Sequence, residues 1–408
     1  GFRVFFSDAQ LDVPFGREKL EQLFEKIEKG SSQSLRKFLD SARYKYEVGM
    51  KDLVYKPGLS IVEFMNLKVL GGVFKLDLIS SFDKYVAAHF KDERLRQLME
   101  FPILFLGAAP AKTPALYSLM NYAGLELGTW YPKGGMHMII QGMAALAREL
   151  GVKIHTGSNC EGINVDKGEI RSVTVSGEKI ETDGVISSAD YHFTEQKLLA
   201  EEFRNYSSAY WRSRTLAPSS LIFYLGIEGK IDNLLHHNLF FDEDLGQHTK
   251  EIYEFPRWPS KPLFYLCCPS KTDASVAPGN SENLFILMPL AAGLDDSQEM
   301  REKYFDIIIK RIEKRSGNQF RDRIKVKDSY CLQNFIDDYG AFKGNAYGLA
   351  NTLNQTAIFK PSIRNKKVQN LYYTGHLTVP GPGVPPSIIS GKLVADQIIK
   401  SISHESLV

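Results

Sequence analysis

The feature that most constrains this 408-residue chain is a run of prolines and glycines near its C-terminus. The stretch NLYYTGHLTVPGPGVPPSIISGKLVADQIIK predicts a short apolar strand at Leu371–Tyr373, a loop, and a helix with an apolar face. Gly381 and Gly383 have no Cβ, so a flat ligand can lie against their backbone, and the prolines stiffen the loop. N–H groups at the start of the following helix can meet a phosphate or a polar ring edge. A stiff structural turn is the alternative, and spacing alone does not decide between the two.

Composition limits the class of protein. The chain is 43% hydrophobic and 24% charged with a net charge of +2, which indicates a folded protein of two or three domains without the charge excess of a nucleic-acid binder. The cysteines, Cys160, Cys267, Cys268 and Cys331, form no CxxC pair, so we expect free thiols, with Cys267 and Cys268 in a core strand. No apolar run is long enough for a transmembrane helix.

The order of patterns predicts a helical part followed by strands. From Arg17 to about Leu106 the chain is mainly helical, and its long apolar stretch, Ile61–Phe90, suits either a buried helix pair or a helix in a membrane interface. An apolar helical stripe includes Met138 and Met143, and a strand is expected at Val152–His155. A three-stranded meander is expected over residues 162–182. Residues 215–360 carry apolar runs typical of strands buried on both faces.

Several blocks resemble one family. The C-terminal stretch resembles the signature of the bacterial-type, CrtI-type phytoene and carotenoid desaturases, carried here by Tyr372, Gly375, Pro380, Gly381, Gly383, Val384, Pro385 and Gly391. The blocks TWYPKGGMHMIIQGMAALARELGVKIH, GVISSADYHFTEQKLL and DDYGAFKGNAYGLANTLNQTAIFKPSIRN resemble family blocks in the family's order. His376 departs from the pattern, which usually has an acidic or small residue there.

The resemblance implies an α/β fold of the FAD-dependent oxidoreductase kind. It comprises an incomplete Rossmann-like FAD domain, a mixed-sheet substrate domain and a helical lid or membrane-facing region. The expected divisions are a helical membrane-facing region at 1–129, part of the FAD domain at 130–200, the substrate sheet at 201–361 and a C-terminal FAD segment at 362–408. The family's N-terminal GxGxxG is absent from the 408 residues, so we expect the chain to start after that βαβ unit.

The resemblance also implies roles for individual residues around FAD. Each role has a structural alternative: a helix-start loop at Lys133, a buried small side chain at Cys160, a helix N-cap at Asp190 and a water-facing ring at His376. The residues expected to contact FAD are Lys133, Gly134 and Gly135 at the flavin, Cys160 at the adenine, Ser188, Ala189 and Asp190 in a nearby turn, and Gly375, His376, Pro380, Gly381, Gly383, Val384 and Pro385 along the ribityl chain, pyrophosphate and flavin.

The implied activity is desaturation of phytoene or a related C40 polyene, by hydride transfer to flavin and loss of a proton. The expected partners are an apolar polyene and the inner face of the cytoplasmic membrane, with no metal and no nucleic acid; the sequence identifies no catalytic base. Alternatives are another flavin oxidoreductase (a carotenoid isomerase, a retinol-saturase-like enzyme or an amine oxidase) or a non-catalytic prenyl-chain carrier. A tight aromatic cage favours an amine oxidase, and a long apolar tunnel favours a polyene enzyme.

Overall fold

The computed structural model describes residues 1–60, 63, 77, 80–104 and 107–405. The strands are β1 Phe2–Phe6, β2 Gln10–Val13, β3 Cys160–Asp166, β4 Glu169–Val175, β5 Glu178–Glu181, β6 Val185–Ser187, β7 Ser219–Glu228, β8 His237–Phe241, β9 Phe264–Cys267, β10 Ser281–Leu290, β11 Ile324–Tyr330 and β12 Leu371–Tyr373. The α-helices are α1 Arg17–Ile27, α2 Ser31–Val48, α3 Phe82–His89, α4 Glu93–Leu104, α5 Leu119–Asn121, α6 His137–Glu149, α7 Tyr191–Phe193, α8 Ser208–Arg212, α9 Leu245–Tyr253, α10 Gln298–Ser316, α11 Leu332–Tyr339 and α12 Val384–Glu405.

A seven-stranded mixed sheet forms the largest layer, in the order β11-β7-β10-β9-β8-β1-β2. Its strands pair antiparallel except for β1 and β8, which run parallel. One face buries α10, whose Phe305, Ile308 and Ile312 pack against Phe223 and Ile286 of the sheet. The strands β1 and β2, from the start of the chain, also belong to this sheet. The four predicted divisions of the chain remain a prediction.

The continuous apolar runs of residues 215–360 predicted strands buried on both faces. The structure shows that one face is not fully buried. Tyr224 of β7 is 44% exposed. Residues paired across antiparallel strands point to the same side, so Tyr224, Phe285, Cys267 and His237 form one row on the face opposite α10. This face of the sheet is therefore partly open.

The helical part packs as its pattern predicted. In α1 the side chains of Leu20 and Phe24 are fully buried, and α2 contributes Phe38 to the same core. Most of the predicted Ile61–Phe90 segment lies outside the described residues, so its choice between helix pair and membrane interface is untested. Its end is described, and there α3 buries Phe82 and Val86.

The smaller layers contain the meander and the C-terminal strand. The predicted meander is confirmed as the antiparallel sheet β3-β4-β5, and β6 pairs in parallel with β12. All four cysteines are free, and Cys267 and Cys268 are both buried, as expected. No helix among the described residues is both long and apolar enough to cross a bilayer.

One expectation around α6 needs correction. The segment Val152–His155 is not a strand, because none of the described strands pairs with it; its first N–H instead closes the helix end by bonding to Ala147. The apolar stripe of α6 is not buried in the described structure. Met138, Met143 and Leu146 are each between 44% and 56% exposed.

We expect Phe24→Ala to lower the free energy of unfolding by about 3–5 kcal/mol, because it removes a fully buried ring that contacts Phe90 edge-to-face at 5.4 Å. Chemical denaturation followed by circular dichroism measures the change. Phe255→Ala is the matched control, since Phe255 is 67% exposed and its truncation should stay within about 0.5 kcal/mol of the parent. Equal losses in the two variants would contradict the assignment of this core.

Candidate active site

The C-terminal ends of two parallel strands bring together two of the predicted segments. The ladder pairs Leu371 with Val185 and Tyr373 with Ser187, and Thr374 N–H continues it by donating to Ser187 O at 2.9 Å. Beyond the strands, a Cβ on Gly375 would lie 3.8 Å from Ser188 O. Ligands of open α/β sheets bind at such strand ends, so the position suits a cofactor site.

Ser390 of α12 fastens this loop to the strand. Its Oγ accepts from Gly375 N–H at 3.2 Å and from Thr374 Oγ1 at 3.0 Å, and lies 3.0 Å from Thr378 Oγ1. Ser390 is fully buried. The serine side chain, unremarkable in the sequence, therefore sets where the helix and its preceding glycine loop sit.

The glycine loop has the conformation that the sequence predicted. Gly381 and Gly383 have φ of 135° and 114°, in the region that favours glycine. Gly381 is buried, whereas Gly383, Val384 and Pro385 at the start of α12 are exposed and Pro380 is partly buried. Ser387 N–H bonds to Gly383 O at 2.9 Å, so the loop leads directly into the helix. The backbone at Gly383 and Val384 is thus open to a ligand.

Two buried polar atoms beside this loop have no hydrogen-bond partner in the part of the chain that the structure describes. They are Lys360 Nζ and His376 Nε2. A Cβ on Gly381 would lie 3.5 Å from Lys360 Nζ, and one on Gly348 would lie 2.7 Å from His376 Cδ2. Burial lowers the pKa of Lys360 to about 8 and that of His376 to about 4. The alternative of a water-facing His376 ring is wrong, since its Nε2 is buried.

These features fit FAD, the cofactor that the resemblance implies. The loop offers open backbone at a helix N-terminus, positive-φ glycines and a lysine whose charge has no partner among the described residues. These features suit an anionic or electron-rich ligand. Lys360, Gly348 and Ser390 were missed by sequence reasoning. The sequence carried no local signal for these roles, because they depend on contacts between separate segments of the chain.

Asp190 is occupied by structural hydrogen bonds. Its Oδ1 accepts from Phe193 N–H at 3.0 Å as the N-cap of α7, and its Oδ2 accepts from Phe342 N–H at 3.3 Å. The carboxyl is 5% exposed, and burial raises its pKa to about 6. The N-cap alternative is therefore confirmed, while a contact of Ser188, Ala189 or Asp190 with the cofactor stays a prediction.

The other predicted cofactor residues lie on different elements. Lys133 and Gly134 are exposed in the loop before α6, Gly135 is partly buried, and Gly134 N–H donates to Asp273 Oδ2 at 2.7 Å. Cys160 begins β3 and packs against the core that includes Leu371. Their contacts with a flavin and an adenine stay predictions.

A cavity of about 560 Å³ opens between the helical part and the seven-stranded sheet, next to the Lys133–Gly135 loop. Trp130 and Phe15 at its mouth are 86% and 55% exposed. Its lining is mainly apolar. The apolar lining residues are Phe2, Pro14, Phe15, Leu98, Phe101, Pro102, Met120, Leu125, Leu127, Trp130, Tyr131 and Leu239. This volume and lining are typical of a site for an apolar ligand.

Polar groups gather at one place in this cavity. His236 and His237 lie at the start of β8, with ring centroids 4.3 Å apart, and Tyr131 contacts the His236 ring edge-to-face at 4.8 Å. Ligand atoms of His236, His237 and Cys267 lie within 4.8 Å of one another, close enough to share a metal ion. Hydrogen bonds already engage Nδ1 of each histidine, with Thr272 Oγ1 at 2.5 Å and Tyr265 Oη at 2.6 Å.

We expect Gly381→Val and Gly383→Val to weaken FAD binding by about tenfold or more, since a β-branched residue at positive φ costs about 1–3 kcal/mol and 1.4 kcal/mol is tenfold in affinity. Flavin absorbance per protein, for protein expressed from its natural reading frame, measures the loss. Gly279→Val is the matched control, because Gly279 also has positive φ but lies elsewhere, with open space around its Cβ. Unchanged flavin content in both loop variants would remove the loop from the cofactor site.

Comparisons with known proteins agree with this geometry. The family model of flavin-containing amine oxidoreductases matches residues 70–399. A carotenoid 3,4-desaturase from Haloarcula japonica is 37% identical over 98% of this chain and 82% of the relative. A zeta-carotene-forming phytoene desaturase from Myxococcus xanthus is 32% identical over 98% of this chain and 77% of the relative.

Solved structures support the fold. A putrescine oxidase variant aligns with a TM-score of 0.61 at 11% identity, over 98% of this chain and 81% of its own. Cyclohexylamine oxidase from Brevibacterium oxydans aligns with a TM-score of 0.56 at 13% identity, over 98% of this chain and 81% of its own. The predicted FAD-dependent oxidoreductase fold and the flavin cofactor are confirmed. The chain belongs to the flavin-containing amine oxidoreductase family, and within it to the CrtI-type carotenoid desaturases.

Proposed function

We propose that this protein is an FAD-dependent desaturase of a C40 carotenoid precursor, phytoene or a related polyene. The observation that carries the proposal is the mainly apolar cavity of about 560 Å³ beside the Lys133–Gly135 loop, in a chain of the carotenoid desaturase family. An amine substrate would need a polar or charged partner, whereas this cavity offers mostly hydrocarbon and aromatic walls. The lining therefore favours a polyene over an amine.

Residues of the glycine loop would hold the cofactor. The backbone of Gly375–Pro385 and the start of α12 would contact FAD, and Lys360 would place a buried cation near it. When bound, FAD accepts a hydride from the polyene. The protein's own part is to orient an apolar chain, exclude water and take up the second hydrogen as a proton.

The substrate has no polar handle, so binding depends on the shape and apolar surface of the cavity. Exposed Trp130, Phe15 and Leu127 around its mouth are suited to contact a bilayer in which the polyene is dissolved. On this ground we propose a peripheral position on the inner face of the cytoplasmic membrane. The Ile61–Phe90 segment remains a second candidate contact, mostly outside the described residues.

Expression in a bacterial host that accumulates phytoene tests the activity. We expect a coloured extract containing polyenes with more conjugated double bonds, because each desaturation extends the conjugation. High-performance liquid chromatography with absorbance detection identifies the products. Gly383→Val serves as the comparison with impaired cofactor binding. A second host that accumulates a coloured carotene tests for 3,4-desaturation, the activity named for the Haloarcula relative. A soluble flavoprotein that alters neither substrate would contradict the proposal.

We also expect Trp130→Ser to reduce binding to phospholipid vesicles severalfold, because it removes an exposed amphipathic ring at the cavity mouth. Vesicle co-sedimentation measures this, and flavin content reports whether the fold is retained. Phe255→Ala, at an exposed aromatic remote from the cavity lining, is the matched control. Equal vesicle binding by the parent and Trp130→Ser would exclude this mouth as the membrane contact.

A further inference from the structure

The apolar cavity contains a polar cluster whose purpose neither the fold nor cofactor binding explains. The cluster lies where β8 and β9 run side by side and consists of His236, His237, Tyr265 and Thr272. Apolar cavities in which a few polar groups converge are typical of reaction sites, since burying such groups without a function is costly.

His237 is the member of this cluster best placed to touch a ligand. It is paired with Cys267 across the antiparallel ladder, so its side chain lies on the sheet face opposite α10. The residue is partly exposed and lines the cavity. Its Nδ1 is 2.6 Å from Tyr265 Oη, which leaves Nε2 as the nitrogen available to a substrate.

Tyr265 orients that ring and is compatible with the tautomer that a base needs. Tyr265 Oη also bonds to Cys267, so its hydroxyl can donate to the thiol while accepting from His237 Nδ1–H. In that tautomer Nε2 carries a lone pair. A base oriented by a second hydrogen-bonded group is the arrangement used for general base catalysis in proteins.

We propose that His237 is the proton acceptor of the desaturation, through Nε2, with Tyr265 as its positioning residue. The inference deepens the proposed function and rests on it. One C–H bond of the polyene breaks with its electron pair passing as hydride to oxidised flavin. The neighbouring C–H bond breaks, its electrons form the new C=C bond, and its proton goes to His237 Nε2, which becomes an imidazolium.

A weak neutral base suffices for this step. As hydride leaves an allylic carbon, positive charge develops there and the neighbouring C–H becomes strongly acidic. Burial is the main cause that lowers the pKa of His237 to about 4. The ring is therefore neutral and able to accept a proton at pH 7, and it returns that proton to water readily before the next turnover.

His236 connects the cluster to the predicted flavin loop. Its ring is 8% exposed, held by Thr272 at Nδ1 and by Tyr131 at its face. Tyr131 begins the segment that continues into Lys133–Gly135, and Asp273 beside Thr272 accepts from Gly134 N–H at 2.7 Å. The polyene carbon next to His237 is thus placed close to the loop expected to line the flavin.

The test uses flavin-loaded enzyme and phytoene in vesicles or detergent. We expect His237→Ala to lower kcat by about 10²–10⁴-fold, the usual contribution of a general base, with flavin content and polyene affinity unchanged. Added imidazole should restore part of the rate, because the vacated ring leaves space in the cavity. His89→Gln is the matched control, since His89 bonds to Tyr85 O in α3 and lines none of this cavity.

Two further measurements separate a catalytic from a structural role. Tyr265→Phe should lower kcat less than His237→Ala and gain nothing from imidazole, because the base is still present. Bound polyene should protect His237, but not His89, from carbethoxylation by diethyl pyrocarbonate, as read by peptide mass spectrometry. This protection reports contact with the substrate independently of turnover.

The outcomes distinguish the two proposals. If the parent enzyme converts phytoene while His237→Ala stays within threefold of its kcat, or if polyene leaves His237 labelling unchanged, the proton-acceptor role is overturned. A metal ion bound in one-to-one ratio and lost in both His237→Ala and Cys267→Ser would also overturn it, because the imidazole would then be a ligand. A parent enzyme that binds FAD but converts no polyene would instead overturn the proposed function.

Discussion

The structure of the candidate site depends on the pairing of β6 with β12 and on the serine that closes it. Two short parallel strands end together, and Ser390 Oγ accepts a hydrogen bond from Gly375 N–H, two residues beyond the second strand. A parallel pair of three residues is weak by itself, so the buried hydroxyl on α12 matters. It ties the glycine loop, the strand and the helix into one unit. The positive-φ glycines can then present backbone to a ligand without the loop changing shape.

Much of this unit could be predicted from sequence because its signals are local. Proline restricts φ and glycine widens its allowed range in any surroundings. The strand, loop and helix at residues 371–405 could therefore be predicted from the sequence. The meander at residues 160–181 followed in the same way from turn residues and alternation. Asp190 as an N-cap also followed from its position before an apolar helical stretch.

The remaining features depend on contacts between distant segments. The strand expected at Val152–His155 has the right residues but no neighbouring strand among those described, and a strand is stable only when paired. The burial of Lys360 against Gly381 joins positions that no periodicity relates. His237 and Tyr265 meet because β8 and β9 align in one register, and Thr272 follows β9 in the chain. No pattern within either strand indicates this pairing, so a catalytic base could not be identified from the sequence.

Because side chains alternate along a strand, the neighbouring residues Cys267 and Cys268 lie in different environments on opposite faces of the sheet. Cys267 shares the face of His237 above the ligand cavity, whereas Cys268 points into the core packed on α10. Burial raises the pKa of both thiols, so neither is a reactive thiolate at neutral pH. Cys267 brings its Sγ within 4.8 Å of ring nitrogens of His236 and His237. A shift of β9 by one residue would exchange the two thiols, placing Cys268 on the face that carries His237 and Cys267 in the core.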